Sequence, residues 1–227
     1  MAAPSSDGSR ASAAPGSGSG QREERMLPDV NEPRWQPAGF EKGRERAAGI
    51  PRGDTSVITD QFGRVMILSD THFWHRNIVA DQNRPSNHTE VMMYRWRKTV
   101  SEDDILLHLG DIVHGISLGQ LAQRFPDLPP KRKFLLLGNH DSAGRIAIFM
   151  DHGWQVLDPF EARYGGVRLF FTHEPLEEVP PGAINVHGHL HNRPAPSDRH
   201  INVSVEQLDY RPHRLVRLLA QRLGGER

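Results

Sequence analysis

Five short apolar runs, each broken off by carboxylate, amide or imidazole residues, constrain this chain more than any other feature. The runs are Val65–Leu68, Ile105–Leu109, Phe134–Leu137, Leu169–Phe171 and Ala183–Val186. Each has strand length and is nearly continuous, the pattern of strands covered on both faces. They end, in order, in Ser-Asp70-Thr-His72, Gly110-Asp111, Gly138-Asn139-His140-Asp141, Thr-His173-Glu and His187-Gly188-His189-Leu-His191. Helical candidates lie between them at Thr89–Val100, Ser117–Phe125 and Ala143–His152. Asn87 with Glu90 three residues on predicts a capping box for the first, and Pro126, Pro129 and Pro130 stop the second. Strand and helix in alternation predict an α/β layered domain. Beyond about Trp154 the helical pattern gives out. Trp154–Leu157, Glu161–Tyr164, Val167–Thr172, Ala183–His187 and Ile201–Val205 read as strands of a second, partly antiparallel sheet, whereas Leu215–Leu223 fits either strand or helix.

Residues 1–51 follow a different rule. Their first 20 are almost entirely Ala, Ser, Gly and Pro, with too little to bury to offset the entropy of ordering, so disorder is expected. The charged, Pro-broken stretch after them carries Trp35 and Phe40, which are candidates to dock on the domain. The folded domain is expected over 52–227. Lys plus Arg equal Asp plus Glu at 28 each, which leaves no basic excess for a nucleic-acid or membrane-surface partner. No apolar run approaches the roughly 20 residues of a membrane span, and no signal-peptide core is present. A soluble, cytoplasmic protein is the default reading.

The absence of cysteine among 227 residues rules out thiolate ligands and cysteine nucleophiles, while 13 histidines remain. Parallel strands would bring the five polar clusters to one edge, where open α/β sheets form their ligand crevice. Carboxylate and imidazole donors suit manganese, iron, zinc, nickel or cobalt. Two such ions about 3.5–4 Å apart can clamp both oxygens of an in-line phosphoryl displacement, and a carboxylate shared between them would hold that spacing. His75, five residues after Asp70, is a candidate contact for substrate phosphate. Arg84 could clamp a phosphate through both guanidinium arms or lie on the loop surface. His108 reads as a core residue, His114 as a rim residue, and His187 as a strand residue or a support for a ligand. His88, His152, His200 and His213 read as surface or cap positions, and Trp96 as packing.

The ordered set D-x-H, G-D, G-N-H-D, H and G-H-x-H resembles the pattern of the calcineurin-like metallophosphoesterase superfamily. The opening SDTHFWHRNI and the tail INVSVEQLDYRP are similar to its small bacterial and phage branch. The resemblance implies a four-layer α/β/β/α sandwich of two mixed sheets flanked by helices. It implies two divalent metal ions, manganese foremost, with Asp70, His72 and His191 on one, Asn139, His173 and His189 on the other, and Asp111 bridging them. His140 would face the scissile phosphate and help to protonate the leaving oxygen, and Asp141 would hydrogen-bond its imidazole. Asn139 would also contact substrate. The implied reaction is hydrolysis of a small, nucleotide-type phosphate mono- or diester by a metal-bridging hydroxide. A non-catalytic interaction module on the same fold is the alternative.

Overall fold

The computed structural model describes Glu45 and residues 48–224. The expectations of disorder over 1–51 and of docking by Trp35 and Phe40 fall almost wholly outside the described residues. In chain order the strands are β1 (Val65–Leu68), β2 (Ile105–His108), β3 (Arg132–Leu136), β4 (Trp154–Leu157), β5 (Phe160–Tyr164), β6 (Val167–Phe171), β7 (Ala183–His187), β8 (His200–Asn202) and β9 (His213–Arg214). The helices are α1 (Ser56–Thr59), α2 (Ile78–Asp81), α3 (His88–Thr99), α4 (Leu118–Arg124), α5 (Ala143–Asp151) and α6 (Leu215–Gly224).

Two sheets form, in the orders β4-β3-β2-β1-β9 and β5-β6-β7-β8. In the first, β1 to β4 are parallel and β9 is antiparallel to β1. In the second, β6, β7 and β8 are parallel and β5 is antiparallel at the edge. Both sheets are therefore mixed, as expected. The continuous apolar runs β1 and β2 are buried at every position, as strands covered on both faces must be. Edge strand β5 instead alternates, with Phe160 and Ala162 buried and Glu161 and Arg163 exposed. One hydrophobic core joins residues of both sheets, including Ile67, Leu107 and Leu135 of the first and Leu169, Phe171 and Val186 of the second. Trp96 packs there, as expected, 6.4 Å from the Phe73 ring and 6.5 Å from the Trp154 ring, and its indole N–H donates to the Pro129 carbonyl at 2.6 Å.

The helix termini depart from expectation. Asn87 makes no side-chain cap to α3; its backbone is outside the extended region that a capping side chain requires. The capping box falls instead at α4, where the Ser117 hydroxyl accepts from Gln120 N–H and the Gln120 side chain accepts from Ser117 N–H. The ambiguous Leu215–Leu223 run is helical and packs on β1, β9 and the 3-10 turn Phe62–Arg64. Strand β8 stops at Asn202, short of the expected Val205. The chain beyond it turns to β1: Ser69 N–H donates to Val203 O at 2.8 Å and Val205 N–H to Ser69 O at 3.1 Å. This stitch brings the carboxyl ends of both sheets together. Among the described residues no helix is long and apolar enough to cross a membrane.

Candidate metal centre

The polar clusters at the strand ends do converge, and they do so on a contorted backbone. Asp70, His72, Asp111, His189 and His191 all have positive φ, between 44° and 66°. Non-glycine residues held there cost on the order of 1–3 kcal/mol each, and such strain collects at functional sites. Hydrogen bonds between segments hold it. Asp70 N–H donates to Gly110 O and His72 N–H to Asp111 O, both at 3.0 Å. His189 N–H donates to Asp70 Oδ2 at 2.8 Å and His191 N–H to the Ser204 hydroxyl at 3.1 Å. Two glycines permit the close approach. A Cβ on Gly138 would lie 2.1 Å from Asp111 Oδ1, and one on Gly188 would lie 2.4 Å from Asp70 Oδ2.

Two clusters of ligand atoms result. One atom each from Asp70, His72 and His191 lie within 4.8 Å of one another, as do atoms from Asp70, Asp111 and His173. Asn139 Oδ1 completes the second cluster, 3.0 Å from both His173 Nε2 and His189 Nδ1. Asp111 Oδ2 stands between the clusters, 3.5 Å from His72 Nε2 and 3.5 Å from His173 Nε2. All seven expected ligands are thus brought together, with Asp111 central and Asp70 common to both groups.

The donor set fits divalent metal ions. Asp70 Oδ1 and both ring nitrogens of His72 are buried with no hydrogen-bond partner, and buried polar atoms are otherwise almost always satisfied. Burial holds the His72 imidazole well below its usual range despite the Asp111 carboxylate beside it, so its nitrogen lone pair stays available. Burial also pushes Asp111 up and His173 down, but their mutual attraction reverses both: Asp111 falls well below the usual carboxylate range and His173 rises to about 9. The His173 Nδ1–H donates to Leu109 O at 2.6 Å, which turns Nε2 toward Asp111.

Two expected roles are corrected. Asp141 does not bond the His140 imidazole. Its Oδ2 accepts from Asp111 N–H at 2.8 Å and Gly138 N–H at 2.9 Å, so it fixes the backbone of the G-D and G-N-H-D blocks. Burial and the Asp111 charge lift its carboxyl to about 6. Arg84 is neither a phosphate clamp nor a surface residue. Its guanidinium is buried and committed, donating to Thr71 O at 2.8 Å, Asp70 O at 2.7 Å and the Glu206 carboxylate at 2.7–2.8 Å. The guanidinium is closed off from solvent and has no accessible edge to offer a phosphate.

Other histidines sort by burial. His108 is a core residue, as expected. Thr71 Oγ1 donates to Ile112 O at 2.8 Å, so His108 Nε2–H donates to Thr71 Oγ1 at 3.2 Å while its Nδ1 accepts from Gly110 N–H at 3.2 Å. Burial lowers it to about 3. His187 is also fully buried, with Nδ1–H donating to Gly188 O at 2.8 Å. His88 and His200, expected at surface or cap positions, are buried too; His200 bridges Ser197 and Leu176 O. His75, His114 and His140 form a row beside His72, with ring centroids 4.4 Å apart for the first pair and 4.3 Å for the second.

Glu206 and Ser204 were missed by sequence reasoning. Ser204 donates to Asp70 Oδ2 at 3.0 Å. Glu206 Oε1 accepts from His191 Nδ1 at 3.1 Å as well as from Arg84. Burial pushes its carboxyl up, and the His191 bond and Arg84 charge more than offset this, leaving it below the usual range. The only signal in the sequence is their place in the tail INVSVEQLDYRP, which carries no donor spacing of its own.

Known proteins are similar to this chain in sequence and, for one solved structure, in fold. The uncharacterized protein MJ1445 of Methanocaldococcus jannaschii is 29% identical over 163 residues, which span 66% of this chain and 85% of that protein. The gene 66 protein of Mycobacterium phage L5 is 35% identical over 77 residues, 32% of this chain and 37% of that protein. Among solved structures, the protein of unknown function AQ665 from Aquifex aeolicus superposes with a TM-score of 0.53 at 25% identity, covering 65% of this chain and 93% of that one. The sequence pattern of the calcineurin-like phosphoesterases matches residues 63–221, more than half of the chain, and the chain belongs to the calcineurin-like phosphoesterase family.

Proposed function

We propose that this protein hydrolyses a phosphate ester at a centre of two divalent metal ions, manganese foremost among them, with a small nucleotide-type mono- or diester as substrate. The observation that carries this reading is the position of Asp111 Oδ2, equidistant at 3.5 Å from an imidazole of each cluster. One carboxylate so placed is suited to bridge two ions.

In this reading Asp70, His72 and His191 hold one ion and Asn139, His173 and His189 the other. Such ions, when bound, lower the pKa of water and offset the charge of the phosphoryl group. Everything else falls to the protein. Asp141 and Gly138 keep Asp111 in register. His140 is fixed through its backbone, whose N–H donates to Asp111 Oδ1 at 2.9 Å. Its imidazole stays 37% exposed and 4.0 Å from Asp111 Oδ2, free to hydrogen-bond a phosphate oxygen and to pass a proton to the leaving oxygen. Asn139 and His75 face the same substrate, and Arg84 has no part in binding it.

Asp111→Asn tests the reading. The wild-type chain supplied with manganese, nickel or zinc should hydrolyse bis-nitrophenyl phosphate or a member of a cyclic-nucleotide and nucleotide panel, and excess chelator should abolish this. Asp111→Asn should lower turnover at least about a hundredfold. Full activity in that variant, or activity indifferent to chelator, would sink the bridging role.

A further inference from the structure

We infer that Glu206, braced by Arg84, is a positioning residue that presents His191 Nε2 to one half of the centre. Its functional meaning rests on the metal-centre reading; its geometry does not. His191 Nδ1 lies 3.1 Å from Glu206 Oε1. Arg84 Nη2 lies 3.4 Å from the same Nδ1, but its two hydrogens are engaged by Asp70 O and Glu206, and a carboxylate with no proton can only accept, so Nδ1 carries the hydrogen and Nε2 keeps its lone pair. That lone pair is on the side of Asp70, with Nε2 3.9 Å from Asp70 Oδ1. Carboxylate–histidine pairs of this kind orient imidazole ligands and raise their basicity.

Arg84 extends the arrangement from one ligand to three. The same guanidinium that pairs with Glu206 also donates to the carbonyls of Asp70 and Thr71. Those carbonyls belong to the turn that delivers Asp70 and His72, both held at positive φ. A single buried ion pair thereby ties the tail after β8 to the turn after β1 and sets Asp70, His72 and His191 together. Asn139, His173 and His189 receive no contact from it. The pair therefore acts directly on one metal position and reaches the other only through Asp70.

Two measurements on the full-length chain decide this. In ¹⁵N NMR of the histidine side chains, the His191 signal, identified by its loss in His191→Gln, should show a protonated Nδ1 and a bare Nε2. A protonated Nε2 would overturn the inference, and this holds whether or not the chain binds metal. In calorimetric titration with zinc, Glu206→Gln should weaken one of the two binding steps about 10- to 100-fold and the other much less. Equal weakening of both steps, or of neither, would overturn it. If Glu206→Gln does not fold, Arg84→Met/Glu206→Gln removes the unpaired buried charge and takes its place in the same titration. Failure of the wild-type chain to bind zinc, manganese or nickel would count against the metal-centre reading itself, while the tautomer would still decide the positioning claim.

Discussion

His140 differs from the other imidazoles of the centre in how it is held. His72 and His173 are buried and face Asp111 at 3.5 Å, whereas His140 is anchored by its backbone and keeps an accessible ring. That combination suits a group that meets substrate rather than metal. His140→Ala should therefore cut turnover about 10²- to 10⁴-fold for esters with alkoxide leaving groups. The loss should be much smaller for a nitrophenyl ester, whose leaving group needs no proton. Steady-state kinetics on a matched pair of esters measures this, and equal losses would count against a proton-donating role. At this scale the candidate ligands were legible in the sequence because each follows an apolar run. Arg84 and Asp141 were misread because a charged residue near a site looks the same in sequence whether it faces the ligand or braces the backbone. Only the carbonyls and N–H groups around them separate the two.

The elements place these residues, and their ends matter more than their middles. Parallel strands β1, β2 and β3 share one direction, so their carboxyl ends deliver Asp70, Asp111 and Asn139 to one edge. Strands β6 and β7 deliver His173 and His189 in the same way. The turns after them are close enough that glycine is required. Gly138→Ala would set a methyl 2.1 Å from Asp111 Oδ1, and Asp111 has no room to retreat because His140 and Asp141 fix it from both sides. The variant should keep its secondary structure by circular dichroism yet lose high-affinity uptake of metal, as measured by elemental analysis after desalting. Retained two-ion stoichiometry would show that the turn can yield. The strands were legible because burial on both faces leaves continuous apolar runs. Helix caps were less so: Asn87 and Glu90 have the right spacing but the wrong backbone, while Ser117 and Gln120 have both.

At the scale of the whole molecule, burial of uncharged imidazoles makes stability depend on pH. His108 and His187 are both fully buried and lowered, mainly by burial, to about 3 and about 4. In the unfolded chain each would titrate near its ordinary value of about 6.5. Between those limits the unfolded state binds more protons, so stability rises with pH there. Their contribution is complete above about pH 6.5, falls as the pH drops through that range, and is fully lost below about pH 3. Denaturant unfolding at fixed ionic strength should therefore show stability declining from pH 6.5 toward 4. His108→Asn should flatten that decline by the share of about one proton. An unchanged slope would mean that His108 is not held neutral.

The sequence by itself pointed to the residues that converge at the strand ends and determined that they sit on an α/β frame. Strand burial and strand-end chemistry are local properties, written in consecutive residues. It also excluded thiolate chemistry outright. Tertiary structure alone decided how those residues are held. The left-handed turns at Asp70, His72 and Asp111, the stitch from Ser69 to Val203 and Val205, and the pairing of Arg84 with Glu206 join segments as far as 136 residues apart. A hydrogen bond over such a separation leaves no spacing in the sequence to detect. Its partners are chosen by the packing of the two sheets, which brings the tail after β8 against the end of β1.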